Sequence, residues 1–379
     1  MGHYSAAAAL AEEISAARPG AEVKIFDIYQ AAFPGSFPMI YGAYSFLVER
    51  NCGLYNLAYR SVQKPRRARH FPTKKRQDPV RSLMARALAR ELAAFRPDAV
   101  VATYSLCARL MGEYKKTAGD PVPFVTCITD VTSHNVWIND ECSLYLVAAE
   151  STAAELRERG VPPEKIAVSG IPVKRAFGPG GGQPGHDPAE GADRKAEKTA
   201  AGETTSSRRE LLLMGGGLGL LPEDPEFYQR LNRFPGLHTT VVTGSNHKLF
   251  SRLQGRYENI TVLGYSCQIP RLMAEADLLM TKPGGVTVFE AISAGLPLLL
   301  LKPTLAQETA NADFVNKKAL GLVLSKEPAQ SLPELFGLLE SPYLLKLIQR
   351  NMARLEKAMD KQALLRFLDS CAGRKSEAA

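Results

Sequence analysis

The residues best suited to chemistry lie in one stretch, Thr281-Lys-Pro-Gly-Gly-Val-Thr-Val-Phe-Glu-Ala-Ile-Ser-Ala-Gly-Leu-Pro297. A short apolar run, Ala276 to Met280, feeds the paired glycines, and a helix is expected to open at about Val286. A helix amino end presents unpaired backbone N–H groups and the positive end of its dipole, which suits a diphosphate. Lys282, Pro283, Gly284, Gly285 and Thr287 would line that seat. Glu290 falls roughly one turn further in, spaced to reach the two hydroxyls of a ribose. The stretch reads as a nucleotide-diphosphate site.

A second group lies just downstream. Lys302-Pro303 ends the next apolar run, Leu298 to Leu301, and Gln307-Glu308-Thr-Ala-Asn311 opens another helix with Gln307 and Asn311 on one face. Adjacent parallel strands would then carry polar groups at their carboxyl ends, where open α/β sheets bind ligands. Gly215 to Gly217, after the run Leu211 to Met214, supplies a second glycine turn. No Asp-x-Asp occurs in the chain. Charge on a departing diphosphate must therefore be met by backbone N–H groups and Lys282, without a metal bridge.

These groups need strands and helices to hold them. Short apolar runs alternate with helical segments along the whole chain, which predicts βαβ units and parallel sheets. In the first half, helices are expected at Ser5 to Arg18, about Pro79 to Phe95, and Thr152 to Arg159. Strands are expected at Val23 to Phe26, Ala99 to Thr103, Phe124 to Ile128, Leu144 to Val147 and Ile166 to Val168. In the second half strands fall at Leu211 to Met214, Thr239 to Val242, Ile260 to Val262, Leu278 to Met280, Leu298 to Leu301 and Leu322 to Leu324. The tail from about Tyr343 to Asp369 is helical, with Leu344, Leu347, Ile348, Met352 and Leu355 on one stripe. From Gly178 to about Arg208 almost no large apolar side chain occurs, so the segment cannot offset its ordering entropy and reads as a disordered linker. The expected domains are 1–177, 209–342, and a C-terminal helix, 343–379, returning to the first domain.

Composition sets outer bounds. With 379 residues, 45% hydrophobic and 23% charged, the chain can bury two cores. Six scattered cysteines, without CxxC pairs or metal-ligand spacing, read as reduced thiols of a cytoplasmic protein. No apolar run approaches the roughly 20 residues of a membrane-spanning helix. The net charge of +8 is concentrated between Arg60 and Arg76, just after an aromatic, apolar stretch from Phe33 to Tyr59. That pairing suits peripheral docking on an anionic membrane surface. No nucleic-acid motif accompanies the charge.

The motif order resembles one family across nearly the whole chain. It runs Gly2-His-Tyr-Ser-Ala-Ala7, Thr129-Asp130, His134, Trp137, Gly170-Ile-Pro-Val-Lys-Arg-Ala-Phe177, Met214-Gly-Gly-Gly217, Thr281 to Gly285, Glu290-Ala291, and Gln307-Glu308 with Asn311. It looks like the monogalactosyldiacylglycerol synthase and processive diacylglycerol glucosyltransferase group of glycosyltransferase family 28. The resemblance implies a GT-B fold, two Rossmann-like domains facing each other across a cleft. A lipid-acceptor domain comes first, then a UDP-sugar domain. It further implies an inverting, metal-independent transfer of a hexose from UDP-glucose or UDP-galactose to diacylglycerol or a related lipid, on the inner face of the cell membrane. UDP-sugar would be the donor substrate, and no cofactor is expected. Gly264 and Tyr265 would offer backbone to the uracil. Gln307, Glu308 and Asn311 would hold the sugar hydroxyls. Inversion needs a base, and His3 or the pair Asp130 and His134 could supply it.

The chain departs from the family pattern in three places. A glycine loop and an apolar strand usually precede the Gly-His pair, whereas the sequence here begins at Met1, so the first strand is expected to be missing through a misassigned start or a truncation. Thr304-Leu-Ala lacks the usual Pro-Gly before Gln307, and Leu218 replaces a common acid. Two other functions stay open: N-acetylglucosaminyl transfer to a polyprenyl-linked peptidoglycan precursor, and UDP-sugar binding without turnover. An isomerase of similar shape, such as a UDP-sugar 2-epimerase, would have little use for the basic and aromatic segment.

Overall fold

The computed structural model describes residues 2–35, 79–178 and 208–377. The aromatic and basic stretch expected to meet a membrane lies outside these residues beyond Gly35, as does the expected linker between its end residues Gly178 and Arg208. The chain divides into two compact units, one formed by Gly2–Pro172 with Leu305–Gln307 and Met359–Ala379, the other by Val173–Thr304 with Glu308–Ala358.

The first unit opens with α1 (Gly2–Ala17), a short α2 (Ile28–Ala32) and α3 (Pro79–Phe95). Then follow β1 (Val100–Ala102), α4 (Ser105–Ala118), β2 (Phe124–Cys127), β3 (Leu144–Val147), α5 (Glu150–Glu158) and β4 (Ile166–Val168). The four strands pair in chain order, all parallel, with Val101 opposite Val125, Thr126 opposite Tyr145 and Leu146 opposite Ala167. Every residue of β2 and β3 is buried, as expected for continuous apolar runs covered on both faces. On one face Trp137, Phe124 and Tyr145 join Met84, Leu88 and Leu92 of α3.

The strand expected at Val23 to Phe26 does not form. That segment has no ladder partner among the described residues. Val23 and Ile25 are more than a third exposed, and only Phe26 leans on the core. Alternation of apolar residues favours extended backbone, but a strand also needs a neighbour for its N–H and C=O groups.

The second unit contains β5 (Arg209–Met214), α6 (Pro225–Arg233), β6 (Leu237–Val242), α7 (His247–Leu253), β7 (Ile260–Leu263) and α8 (Ile269–Glu275). It continues with β8 (Leu278–Thr281), α9 (Gly285–Ala294), β9 (Leu298–Leu300), α10 (Ala306–Lys317), β10 (Gly321–Val323), α11 (Leu332–Leu339) and α12 (Pro342–Lys357). Its parallel sheet has the order β10-β9-β8-β5-β6-β7. The chain runs outward from β5 through β6 to β7, then returns to β8 on the other side of β5. The order reverses between β5 and β8, which opens a crevice above their carboxyl ends.

The helical tail is two helices. The domain boundary expected at 343 falls instead after Ala358, because α12 packs on α9 and α11 of the second unit. Its buried stripe is Leu345, Ile348 and Met352, while Leu344 and Leu347, expected inside, are exposed. Three leucines at 344, 345 and 347 offer two helical registers, and contact with α9 and α11 selects the one through Leu345. After Ala358 the chain joins the first unit, where Asp360 N donates to Val168 O at 2.8 Å. Helix α13 (Ala363–Glu377) then seats Ala363 and Leu364 among Leu10, Val125 and Leu146.

Candidate functional site

Strands β5 and β8 lie side by side with Met214 opposite Thr281, so the two glycine loops leave the sheet at the same level. The first loop folds back tightly. Leu220 N donates to Gly215 O at 3.1 Å and Gly219 N to Gly216 O at 3.0 Å. A Cβ at Gly215 would lie 2.4 Å from Leu220 N, and Gly216 has φ +68, so the turn requires glycine at both places. Ser245 holds Gly217 O through its N–H (3.0 Å) and hydroxyl (2.9 Å).

The second loop joins β8 to α9. Gly284 is the N-cap and brings no side chain, so no side-chain oxygen occupies the N–H groups at the helix start. Helix α9 begins at Gly285, one residue before the expected position. Thr287 lies in its first turn, half-buried. Lys282 crosses from this loop toward the other one, for a Cβ built on Gly216 would meet its Cε at 3.2 Å. An ammonium group thus stands between two backbone turns.

Lys282 is held by α10. Its Nζ lies 3.2 Å from Glu308 Oε1, and the Glu308 side chain is 5% exposed. Thr304 N donates to the other oxygen of Glu308 at 3.3 Å. Asn311, one turn on, donates from Nδ2 to Pro283 O at 3.0 Å and is 1% exposed. Two of the three residues expected to meet sugar hydroxyls are therefore engaged by the Lys282–Gly285 loop. Gln307 sits in the first turn of α10, half-buried. Glu290 is largely buried in α9, and burial pushes its carboxyl up to about 7, opposed by the positive charge of Lys174. Gly264 and Tyr265 follow β7, which β6 separates from β5, and Tyr265 is largely exposed. Thr304 and Ser245 were missed in the sequence because a lone hydroxyl residue after a strand carries no distinctive spacing. Lys174 lay within a motif already noted, without a role.

In the first unit His3 lies in the first turn of α1, against the carboxyl ends of β1 and β2. Its Nδ1 is hydrogen-bonded to Thr129 Oγ1 at 2.8 Å, and its backbone carbonyl accepts from Thr103 Oγ1 at 2.9 Å. The Tyr104 ring lies 4.8 Å away. Burial lowers His3 to about 4, opposed by its backbone hydrogen bond with Thr103. Burial likewise lowers His134 to about 4, and its ring lies 5.8 Å from that of Trp137. Both imidazoles are neutral at physiological pH and able to accept a proton.

The loop carrying Asp130 and His134 is anchored to α5. Thr152 Oγ1 donates to Val131 O at 2.6 Å. Glu155 accepts from Ser133 N at 2.7 Å and from Ser133 Oγ at 3.0 Å. The loop that starts at Thr129, the hydrogen-bond partner of His3, thus carries Asp130, half-buried, and then His134. Among the described residues no cluster of three or more His, Cys, Asp or Glu is arranged to hold a metal ion.

The solved structure of Acinetobacter baumannii MurG superimposes with a TM-score of 0.56 over 98% of this chain and 96% of that one, at 16% identity. Together with the two parallel units and the loop pair at the strand-order reversal, this defines a GT-B glycosyltransferase fold. Residues 3–173 match the family model for monogalactosyldiacylglycerol (MGDG) synthase, and residues 225–367 match the glycosyltransferase family 28 C-terminal domain. The chain belongs to the monogalactosyldiacylglycerol synthase and processive diacylglycerol glucosyltransferase group of glycosyltransferase family 28. The processive diacylglycerol beta-glucosyltransferase of Bacillus licheniformis is 28% identical over 273 residues, covering 71% of this chain and 67% of that protein. The enzyme of the same name from Bacillus subtilis is 26% identical, over 71% and 68%. Among the described residues no helix is long and apolar enough to cross a membrane.

Proposed function

We propose that this enzyme transfers a hexose from UDP-glucose or UDP-galactose to the hydroxyl of diacylglycerol or a related lipid, with inversion at the sugar carbon and without a metal ion. The carrying observation is the meeting of the Gly215–Gly217 and Lys282–Gly285 loops at the β5/β8 reversal, with Lys282 between them. The free N–H groups of α9 and the Lys282 ammonium take the diphosphate charge, and Glu290 takes the ribose hydroxyls. Gln307, Glu308 and Asn311 face the sugar from α10, while Gly264 and Tyr265 serve the uracil.

His3 is the base. The acceptor oxygen attacks the sugar carbon as the bond to UDP breaks, and the hydroxyl proton passes to the ring nitrogen not engaged by Thr129. Asp130 and His134, carried by the same unit as His3, would serve this reaction by stabilising the developing charge. The lipid is met at the inner face of the cell membrane, to which the enzyme binds peripherally through the segment between Phe33 and Arg76. Both relatives above carry the name diacylglycerol glucosyltransferase, which supports the acceptor class.

The test is incubation of the purified enzyme with labelled UDP-glucose or UDP-galactose and mixed lipids. Label entering the organic phase only when diacylglycerol is present is the expected result. Tight UDP binding without any lipid product would overturn transfer and leave a binding protein.

A further inference from the structure

Helix α12 carries a second feature, on the side away from its buried stripe. At about 100° per residue, Lys346, Lys357, Arg350, Tyr343, Arg354 and Leu347 fall within an arc of about 100°. All six are exposed, Tyr343 at 74% and Leu347 at 39%. Four are cations, and none of the four forms an ion pair or side-chain hydrogen bond among the described residues. The one acid of the helix, Glu356, lies outside the arc and accepts a hydrogen bond from Ser293 Oγ at 3.1 Å. Tyr343 and Leu347 thus sit among four cations that have no partner among the described residues.

We infer that this face of α12 is a contact surface for an anionic phospholipid bilayer, separate from the Phe33–Arg76 segment and carried by the nucleotide-binding unit. The cations suit lipid phosphates, while Tyr343 and Leu347 suit the boundary between headgroups and acyl chains. A nucleic acid would use the charge but has little to offer Leu347. The inference does not depend on the donor-site assignment, because UDP binding and membrane contact are measured separately.

Two experiments on the full chain test it. Replacing Lys346, Arg350, Arg354 and Lys357 together with Gln should weaken partition onto phosphatidylcholine vesicles containing phosphatidylglycerol by at least about tenfold. UDP affinity and melting temperature should be unchanged, since no residue of the loop pair is touched. The second experiment uses Tyr343→Trp. The chain's one tryptophan, Trp137, is buried, so emission that responds to vesicles reports position 343. A blue shift with anionic but not zwitterionic vesicles supports the assignment. Cosedimentation without any shift means another surface binds and overturns it. A shift produced by duplex DNA but not by vesicles also overturns it.

Discussion

The carboxylate of Glu308 sits 3.2 Å from the ammonium of Lys282 and is nearly closed to solvent. The ammonium proposed to meet a diphosphate is therefore balanced and positioned from the neighbouring helix. Lys282→Ala should weaken UDP binding by about tenfold or more, the scale of one charged hydrogen bond. It should also destabilise the fold by roughly 1–3 kcal/mol, because Glu308 is left buried without its cation while Lys282 itself is partly exposed. Adding Glu308→Gln to that variant should recover stability but not UDP affinity, as read by denaturant unfolding and calorimetric titration. Recovery of both would remove Lys282 from the donor site.

His3 provides a pH signature. An ordinary histidine titrates near 6.5, whereas burial places this one at about 4. The acid limb of kcat/KM should fall near pH 4 rather than 6.5. His3→Gln should reduce kcat by about 100-fold or more, the usual scale for loss of a general base. Thr129→Val, which removes the partner of Nδ1, should cost about three- to tenfold through ring orientation. An acid limb that remains in place in His3→Gln would transfer the role to His134.

Glu290 couples stability to pH in the opposite direction from most carboxylates. Its pKa rises from 4.5 in the unfolded chain to about 7 in the folded one, so between these values the folded state holds the extra proton. This contribution is complete below about pH 4.5 and is lost as pH rises through about 7. Glu290→Gln, which mimics the protonated side chain, should melt at a higher temperature than the parent at pH 8 and at nearly the same temperature at pH 4.5. Equal shifts at both pH values would count against a buried, protonated Glu290.

Asn311 should behave as a brace for the diphosphate loop. Asn311→Ala leaves Pro283 O without its donor in a buried place, at a cost of roughly 1–3 kcal/mol. UDP affinity should fall with it, since the loop before Gly284 loses its support. A variant with parental UDP affinity and altered sugar preference would restrict Asn311 to the sugar.

Much of this architecture could be read in the chain itself. Short runs of Leu, Ile and Val separated by helical spacing placed every strand of the second sheet within two residues. The Lys-Pro-Gly-Gly turn marked the helix start for the same reason, because glycine pairs at strand ends have few other uses. Partners were harder to read. Spacing at i and i+4 puts Gln307 and Asn311 on one face of α10, but it does not say that Asn311 reaches Pro283 or that Glu308 takes Lys282. The burial that lowers His3 and raises Glu290 depends on strands distant in sequence, so no local pattern could reveal it. Val23 to Phe26 failed for a related reason: pairing is a property of two segments, and only one was visible.

Helix α13 fills the same apolar cluster as Leu10, Val125 and Leu146, although more than 200 residues of chain separate it from them. A ribosome making this protein releases the first βα segments long before it makes Leu364. Until α13 has been made, that cluster stays open on the side the helix will cover, and a nascent chain stalled near Ala358 would expose greasy surface to chaperones. A sheet face built early is thus covered late.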